Sequence, residues 1–309
     1  ADVVIENFKG GVIERLGYGY EAVRAVKPDI IYCSISGYGQ KGPMAGKAAY
    51  DGAIQAASGM MSVTGTPDSG PLRVGYMSVD IPTGLTAAFA IASALFRRGH
   101  TGMGQHLDVA MLDSAMTLLN PNIARYLMTG LTTERMGNAS PTNQGTGDTW
   151  ATKDGHIQMT VITDAMTAKM CAAFERADLA KDPRFATTEG RVEYKAEIKP
   201  IIGEILATKT TTEWIARLGA AGVPVAPVHS IEQLMAFPQL DHRGVMMTMP
   251  APPGMDGEIK AVGAGFHASN GEPEGRSPGP LLGQHTNEVL TELGFDDSAI
   301  KSFHENGVI

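Results

Sequence analysis

Cysteine and clustered positive charge are both scarce in this sequence. Its 309 residues include two cysteines, Cys33 and Cys171, which are far apart and lie in apolar stretches. Two such residues are typical of small core side chains in a reducing compartment and not of a disulfide framework. We therefore expect a cytoplasmic protein without disulfides.

The sequence also lacks the features that serve nucleic acids, metals and membranes. No run of Lys and Arg exceeds two residues, and the formal net charge is −8, so phosphate-tracking contacts to nucleic acid are not expected. Cysteine and histidine do not recur at the spacing of metal ligands, so no metal is expected. The longest uncharged run, residues 81–96, is too short to span a bilayer.

The composition is that of a globular enzyme. Hydrophobic residues make up 43% and charged residues 19% of the chain, whose length suffices for two domains. The first residues already read as a strand, and no initiator Met precedes them. We therefore expect a fragment that begins inside a domain.

The N-terminal third predicts a parallel βαβ unit. Residues 3–5 and 29–35 are β-rich, and helical stretches at 11–16 and 20–26 lie between them. The second strand is followed by G-x-G-x-x-G at residues 37–42, which is also found in dinucleotide-binding turns. Pro43 and Gly46 follow at once, so no helix opens on the third glycine, and a simple glycine-rich turn is the favoured interpretation.

The rest of the chain changes character after a polar loop at residues 130–147. Before that loop we predict helices at 50–59, 81–96 and 112–128 and a strand at 105–110; after it we predict a mixture of short strands (149–151, 156–161, 223–228, 245–249) and helices (165–174, 196–207, 212–220, 287–293, 297–304). The sequence therefore indicates an α/β region followed by an α+β region.

One carboxylate stands out, because residues 71–84 bring Asp80 to the start of the apolar helix. Small residues fill that helix, which predicts close packing and burial on all sides. An Asp in this place can simply cap the helix, and Pro82 in the first turn suits a helix start. Alternatively, the free N–H groups and the helix dipole hold the Asp80 carboxylate ionised for chemistry. The spacing alone leaves both interpretations open.

Longer motifs resemble family III CoA-transferases. The similarity runs over nearly the whole chain and is carried by residues 2–8, 36–43, 50–59, 73–84, 94–110, 147–155 and 280–286. The resemblance implies a Rossmann-type α/β large domain formed by residues 1–128 and completed by 278–309. It also implies a smaller α+β domain at 129–277 and a homodimer whose two subunits interlock.

The resemblance also implies roles for individual residues. Asp80 matches the catalytic nucleophile of the family, and Asn7, Phe8 and Arg15 match residues that hold coenzyme A, the only cofactor implied. Tyr50 matches a residue that lines the acyl site. Residues 138–145 correspond to a mobile loop that is richer in glycine in formyl-CoA transferases, which argues against formate or oxalate as substrates.

The implied reaction moves CoA from an acyl-CoA to a free carboxylic acid through an anhydride and a thioester on Asp80; succinate-type dicarboxylates fit. One alternative is a 2-methylacyl-CoA racemase of the same superfamily. That reaction needs a histidine where this chain has Tyr50, and the ordinary tyrosine pKa of about 10 makes it a poor proton shuttle at neutral pH. A second alternative is an inactive fragment that still binds CoA.

Overall fold

The computed structural model describes residues 1–271, 273, 275 and 277–309. Residues 272, 274 and 276, which belong to the predicted small domain, lie outside the described residues. The chain divides into two compact units, Ala1–Pro227 and Val228–Ile309. The predicted domain boundaries at residues 128 and 277 concern how the whole molecule is arranged and stay a prediction.

The first unit begins with a three-stranded parallel sheet in the order β1-β2-β3. Its strands are β1 (Val3–Glu6), β2 (Ile31–Ser36) and β3 (Gln105–Ala110). The helices of this part are α1 (Val12–Arg15), α2 (Tyr20–Val26), α3 (Asp51–Ala57), α4 (Met60–Val63), α5 (Asp80–Thr101), α6 (Met111–Leu118) and α7 (Asn120–Thr129). The predicted parallel βαβ unit is confirmed, since β1 and β2 pair in parallel with Ile5 opposite Cys33.

Helix α5 packs along one face of this sheet. Ala87 contacts a small apolar cluster with Cys33 of β2 and Val109 of β3. The small side chains on this face let the helix backbone approach the strands closely. This packing places Asp80, the first residue of α5, relative to the sheet.

The prediction that α5 is buried on all sides is wrong for the single chain. Its buried residues, Thr83, Ala87 and Ala94, share one face. The opposite face is apolar and exposed, and Leu85, Phe89 and Phe96 are 64%, 75% and 73% accessible. The apolar run is uniform around the helix, but the sheet covers only one side of it.

The predicted single helix over 112–128 is also wrong. Two helices, α6 and α7, replace it, and Leu119 is both the C-cap of α6 and the N-cap of α7. Pro121 lies in the first turn of α7, where its missing N–H costs nothing, but it cannot continue a helix from α6. The proline therefore explains the break.

The remainder of the first unit is a second, antiparallel sheet of order β4-β5-β6 packed with helices. Its elements are β4 (Asp148–Ala151), β5 (His156–Met159), α8 (Asp164–Ala173), a 3₁₀ turn (Leu179–Lys181), α9 (Pro183–Ala186), α10 (Thr188–Glu193), α11 (Lys195–Leu206), α12 (Thr211–Ala220) and β6 (Val225–Pro227). A large apolar core holds Cys171, Phe185 and Trp214. Both cysteines are buried and free, as predicted.

The described residues of the second unit form a two-stranded sheet and four short helices. Its elements are α13 (Ile231–Met235), α14 (Pro238–Arg243), β7 (Met246–Pro250), β8 (Glu258–Val262), α15 (Thr286–Glu292) and α16 (Asp297–Glu305). Strands β7 and β8 pair antiparallel. In the described ranges, no helix is long and apolar enough to cross a membrane.

Candidate active site

The first turn of α5 carries Asp80 but is capped by another residue. The N-cap is Val79, which has no side-chain acceptor, and Asp80 is the first helical residue. The capping acceptor is Asp51, the first residue of α3, whose Oδ2 accepts hydrogen bonds from Val79 N (2.8 Å) and Asp80 N (3.1 Å). The side chain of Asp80 makes no hydrogen bond to any described residue and is exposed. Capping therefore does not account for Asp80.

Asp51 and Gln55 hold the chain segment that leads to Asp80. Asp51 is 4% accessible, and its Oδ1 accepts a hydrogen bond from Gln55 Nε2. The fully buried Gln55 uses its other amide atom, Oε1, to accept from Val74 N at 2.9 Å. These two side chains, one turn apart on α3, thus fix both ends of residues 74–80.

The two carboxyl groups differ in their electrostatic state. Burial would raise the pKa of Asp51, but hydrogen bonds from Val79 N–H, Gln55 and Asp80 N–H, together with the charge of Arg73, lower it below the ordinary value. Desolvation raises the pKa of Asp80, and the negative charge of Asp51 raises it further. The helix start therefore does not lower the pKa of Asp80, because its N–H groups donate to Asp51 instead.

The N–H groups of this turn are nearly all committed. Val79 and Asp80 donate to Asp51, Pro82 has no N–H, and Thr83 N donates to Val79 O at 3.0 Å. Ile81 N–H is the one amide of the first turn without an acceptor in the described part of the chain. The several free N–H groups that the sequence led us to expect reduce to this single donor.

Tyr50 lies at the same corner, directly before Asp51. It is the N-cap residue of α3 and is 82% accessible. Because Asp51 contacts the backbone of Asp80, the structure brings Tyr50 and Asp80 into one region. A phenol here can line a substrate-binding surface.

Of the second group of predicted residues, Asn7 and Phe8 directly follow the carboxyl end of β1, and Arg15 ends the next helix, α1. Phe8 N donates to Glu6 Oε2 at 2.8 Å, and the Phe8 ring is half exposed. Arg15 ends α1 and is exposed, and its guanidinium lies over Gly11, where an added Cβ would be 3.4 Å from Nη1. Ligands of parallel sheets bind at this edge. No hydrogen bond or ring contact links this group with Asp80 across the residues described.

The glycine-rich segment after β2 approaches the chain just beyond β1. Gly39 N donates to Ser36 Oγ, and Gln40 N donates to Asp108 Oδ2, both at 3.0 Å. Gly46 approaches Gly10 so closely that a Cβ on Gly10 would lie 3.3 Å from Gly46 N. The next helix is α3, at Asp51, so the segment is a turn, as predicted, and not the start of a dinucleotide-binding helix.

Sequence reasoning missed Asp51 and Gln55 as functional residues. Both lie in the 50–59 motif, but their partners are 19 to 29 positions away, in the approach to α5. The available signal was an acidic and an amide residue at i, i+4 on an otherwise apolar helix. As for metals, the described residues contain no group of three or more His, Cys, Asp or Glu that could hold an ion.

Comparisons with known proteins agree with one another. A family model described as CoA-transferase family III matches residues 1–286. An acyl-CoA transferase of Fusarium pseudograminearum is 36% identical over 309 residues, which is 100% of this chain and 68% of that protein. A succinate–glutarate CoA-transferase of Agrobacterium fabrum is 36% identical over 293 residues, covering 95% of this chain and 72% of its own. The crystal structure of a CAIB/BAIF family protein from Brucella suis has a TM-score of 0.84 at 36% identity, covering 95% of this chain and 75% of that one.

Proposed function

Because this chain belongs to CoA-transferase family III, we propose that it moves CoA from an acyl-CoA to a free carboxylic acid through covalent intermediates on Asp80. The observation that carries this proposal is the exposed Asp80 carboxylate, which has no hydrogen-bond partner among the described residues, at a helix start that Asp51 already caps. A carboxylate that is not needed for capping and has a raised pKa is typical of a catalytic group.

The proposed reaction has two covalent stages. An Asp80 oxygen attacks the thioester carbonyl of the donor; the C–S bond breaks, giving a mixed anhydride and the CoA thiolate. The thiolate then attacks the Asp80 carbonyl, which gives an aspartyl-CoA thioester and releases the donor acid. The acceptor carboxylate attacks this thioester and expels the CoA thiolate, which gives a second mixed anhydride. The thiolate then attacks the acyl carbon of the acceptor, which gives the new acyl-CoA and restores the Asp80 carboxylate.

Each attack creates an oxyanion that needs a hydrogen-bond donor. Ile81 N–H is a suitable donor for charge that develops on the Asp80 carbonyl oxygen, because it is adjacent in the chain and uncommitted. The raised pKa of Asp80 makes its carboxylate a stronger nucleophile than an ordinary aspartate once it is ionised. Asp51 keeps the helix start in place while Asp80 changes its charge.

Coenzyme A is proposed to lie along the carboxyl edge of the parallel sheet. Asn7 and Phe8 follow β1 there, and the exposed guanidinium of Arg15 suits the phosphates of CoA. Tyr50 would line the acyl site next to Asp80. Dicarboxylic acids are the proposed substrates, and the name of the Agrobacterium relative, a succinate–glutarate CoA-transferase, supports this choice.

The test is a label-transfer assay with the purified chain. Succinyl-CoA labelled in the CoA moiety is incubated with glutarate, and labelled glutaryl-CoA is separated by chromatography. We expect transfer by the wild type and a loss of several orders of magnitude in Asp80→Asn, which keeps the shape of the side chain but not its charge. A folded Asp80→Asn chain with near wild-type transfer would remove Asp80 from the reaction, provided that deamidation is excluded by mass.

The same preparation separates the two alternatives. A racemase would exchange the α-hydrogen of a 2-methylacyl-CoA with deuterated water; we expect no exchange, since the exposed Tyr50 stands in the place of the required histidine. A chain that binds CoA but shows neither transfer nor exchange would instead be an inactive CoA-binding fragment.

A further inference from the structure

The first unit contains a cavity whose lining includes none of the residues that are given a role in the proposed reaction. It has a volume of about 630 Å³ and an apolar portion that includes Leu131, Met136 and Pro141. A volume in the range of a few hundred Å³ is typical of small-molecule sites.

The cavity is lined by an excess of positive charge. Among the described residues, the lining includes four cations, Arg125, Arg135, Lys195 and Lys199, and one carboxylate, Glu134. The charge of Lys199 is partly neutralised by its ion pair with Asp148. The chain as a whole has a net charge of −8, so this excess of positive charge is local to the cavity. A positively charged cavity attracts anions.

Two of these cations have donors to spare. Arg135 uses Nε to donate to Thr66 O at 3.2 Å, which leaves both terminal nitrogens without an acceptor among the residues described. The Arg125 side chain makes no hydrogen bond or ion pair with any described residue. Lys195 Nζ is already directed to a neutral acceptor, Asn143 Oδ1, at 2.8 Å. Guanidinium groups with free terminal nitrogens suit the paired oxygens of a carboxylate or phosphate.

One wall of the cavity is fixed by the buried hydrogen bonds of Gln144. Gln144 is 3% accessible; its Oε1 accepts from Arg191 Nε at 2.7 Å, and its Nε2 donates to Ile162 O at 3.1 Å. The fully buried Arg191 also donates to Phe185 O at 2.8 Å. This anchor fixes the end of the 138–145 loop, so the cavity wall is formed before a ligand arrives.

We propose that this cavity binds the oxyanion of an organic ligand, a carboxylate or phosphate group, through Arg125 and Arg135. Under the proposed function, two ligands carry such a group: the free dicarboxylic acid and CoA, through its phosphates. The inference rests on the proposed function only for the choice of these two probes. The apolar lining packs against the ligand's carbon skeleton.

The test is calorimetric titration of the full chain with glutarate and, separately, with CoA at low ionic strength. The variants are Arg125→Gln, Arg135→Gln and their combination, with thermal melting to verify folding. Arg243→Gln, at an exposed site at the end of α14, removes the same charge outside the cavity and is the matched control. Arg125→Gln is the safer variant because no described residue depends on that guanidinium.

We expect each cavity variant to weaken at least one of the two probes about tenfold or more, as the loss of a hydrogen bond to a charged group does, while Arg243→Gln binds as the wild type. Loss confined to glutarate assigns a carboxylate site, and loss confined to CoA assigns a phosphate site. The inference is overturned if the wild type binds neither probe, or if the cavity variants bind both as the wild type does. It is also overturned if Arg243→Gln weakens binding equally. Binding and CoA transfer are measured in separate assays: a wild type that binds a probe through Arg125 and Arg135 but transfers no CoA contradicts the proposed function alone, so the two failures are distinguishable.

Discussion

At the first turn of α5, Asp51 accepts the hydrogen bonds of Val79 and Asp80, and the Asp80 carboxylate is left without a partner among the described residues. The two carboxylates therefore differ in their roles at the start of α5. Asp51 supplies the structural acceptor, and Asp80 is the proposed source of the reactive oxygen. This division has consequences for stability and for pH dependence that can be measured separately.

Replacing Asp80 should not destabilise the fold. Its raised pKa means that the folded state favours the protonated acid, so this residue contributes stability below its unfolded pKa and loses it as pH rises through the folded pKa. At pH 7 we expect Asp80→Asn and Asp80→Ala to be at least as stable as the wild type in urea unfolding. A loss of about 0.5–2 kcal/mol in Asp80→Ala with Asp80→Asn unchanged would instead show a capping residue.

Asp51→Asn should move the pH dependence of transfer. The substitution removes the charge that raises the pKa of Asp80, so the acidic limb of kcat/KM should shift to lower pH. Because the pKa of Asp51 itself is lowered by folding, its ionised form stabilises the protein above the unfolded pKa, and this stabilisation is lost as pH falls through the folded value. The variant should therefore be less stable at pH 7 and approach the wild type in acid.

The matched control for this experiment is Asp68→Asn, which removes a carboxylate from an exposed turn. Its pH profile and stability should be those of the wild type. An unchanged acidic limb in Asp51→Asn would contradict the electrostatic coupling of the two acids.

The position of Asp80 at a helix start could be predicted from the sequence, but whether its side chain caps that helix could not. Pro82 and the uncharged run after it mark a helix start locally. The acceptor that displaces Asp80 from capping lies 28 positions before Val79, on α3. Such a tertiary contact leaves no periodic signal in the chain, so the capping and nucleophile interpretations could not be separated in advance.

At the scale of elements, the sequence predicted the presence of α5 but not which of its faces is buried. The run of apolar residues predicts a helix, and β3, at Gln105–Ala110, falls where its alternation predicts. Which side of α5 is covered depends on the sheet, and a helix that is apolar all round gives no indication of it. Strand β8 was missed because Glu258–Val262 is short and carries two charged residues.

The anchor of the 138–145 loop supports an element-scale prediction. Gln144→Ala leaves the Nε of the buried Arg191 without its acceptor, and we expect a loss of about 1–3 kcal/mol in the free energy of unfolding. Urea titration followed by tryptophan fluorescence measures it. Gln239→Ala, at an exposed position of α14, is the control and should change stability by less than about 0.5 kcal/mol. Equal stability of the two variants would show that the loop is not held by this contact.

For the whole molecule, the exposed apolar face of α5 bears on assembly. Leu85, Phe89 and Phe96 form a stripe of a kind that soluble chains normally cover. The interlocked homodimer implied by the family resemblance is a proposal that would cover it. The order of the elements and the parallel sheet could be inferred from local patterns, but the packing of units and subunits depends on contacts that single-chain periodicity does not encode.

Phe89→Arg tests that proposal. A buried cation without a partner at a subunit interface is strongly unfavourable, so the variant should shift a dimeric protein towards monomer in light scattering at micromolar concentration. Val26→Arg makes a similar change at an 88% accessible position at the end of α2 and should leave the mass unchanged. A wild-type chain that is monomeric at this concentration would contradict the proposed dimer.

The most direct test of the central claim is to trap the acyl group on Asp80. During turnover with succinyl-CoA and glutarate, hydroxylamine should convert the Asp80 anhydride or thioester to a hydroxamate. Trypsin releases residues 74–97 as one peptide, in which Asp80 is the only Asp or Glu, so mass spectrometry assigns the change without ambiguity. We predict the hydroxamate on this peptide when acyl-CoA is present, and none in Asp80→Asn or without acyl-CoA. Active transfer with an unmodified 74–97 peptide would contradict covalent catalysis by Asp80.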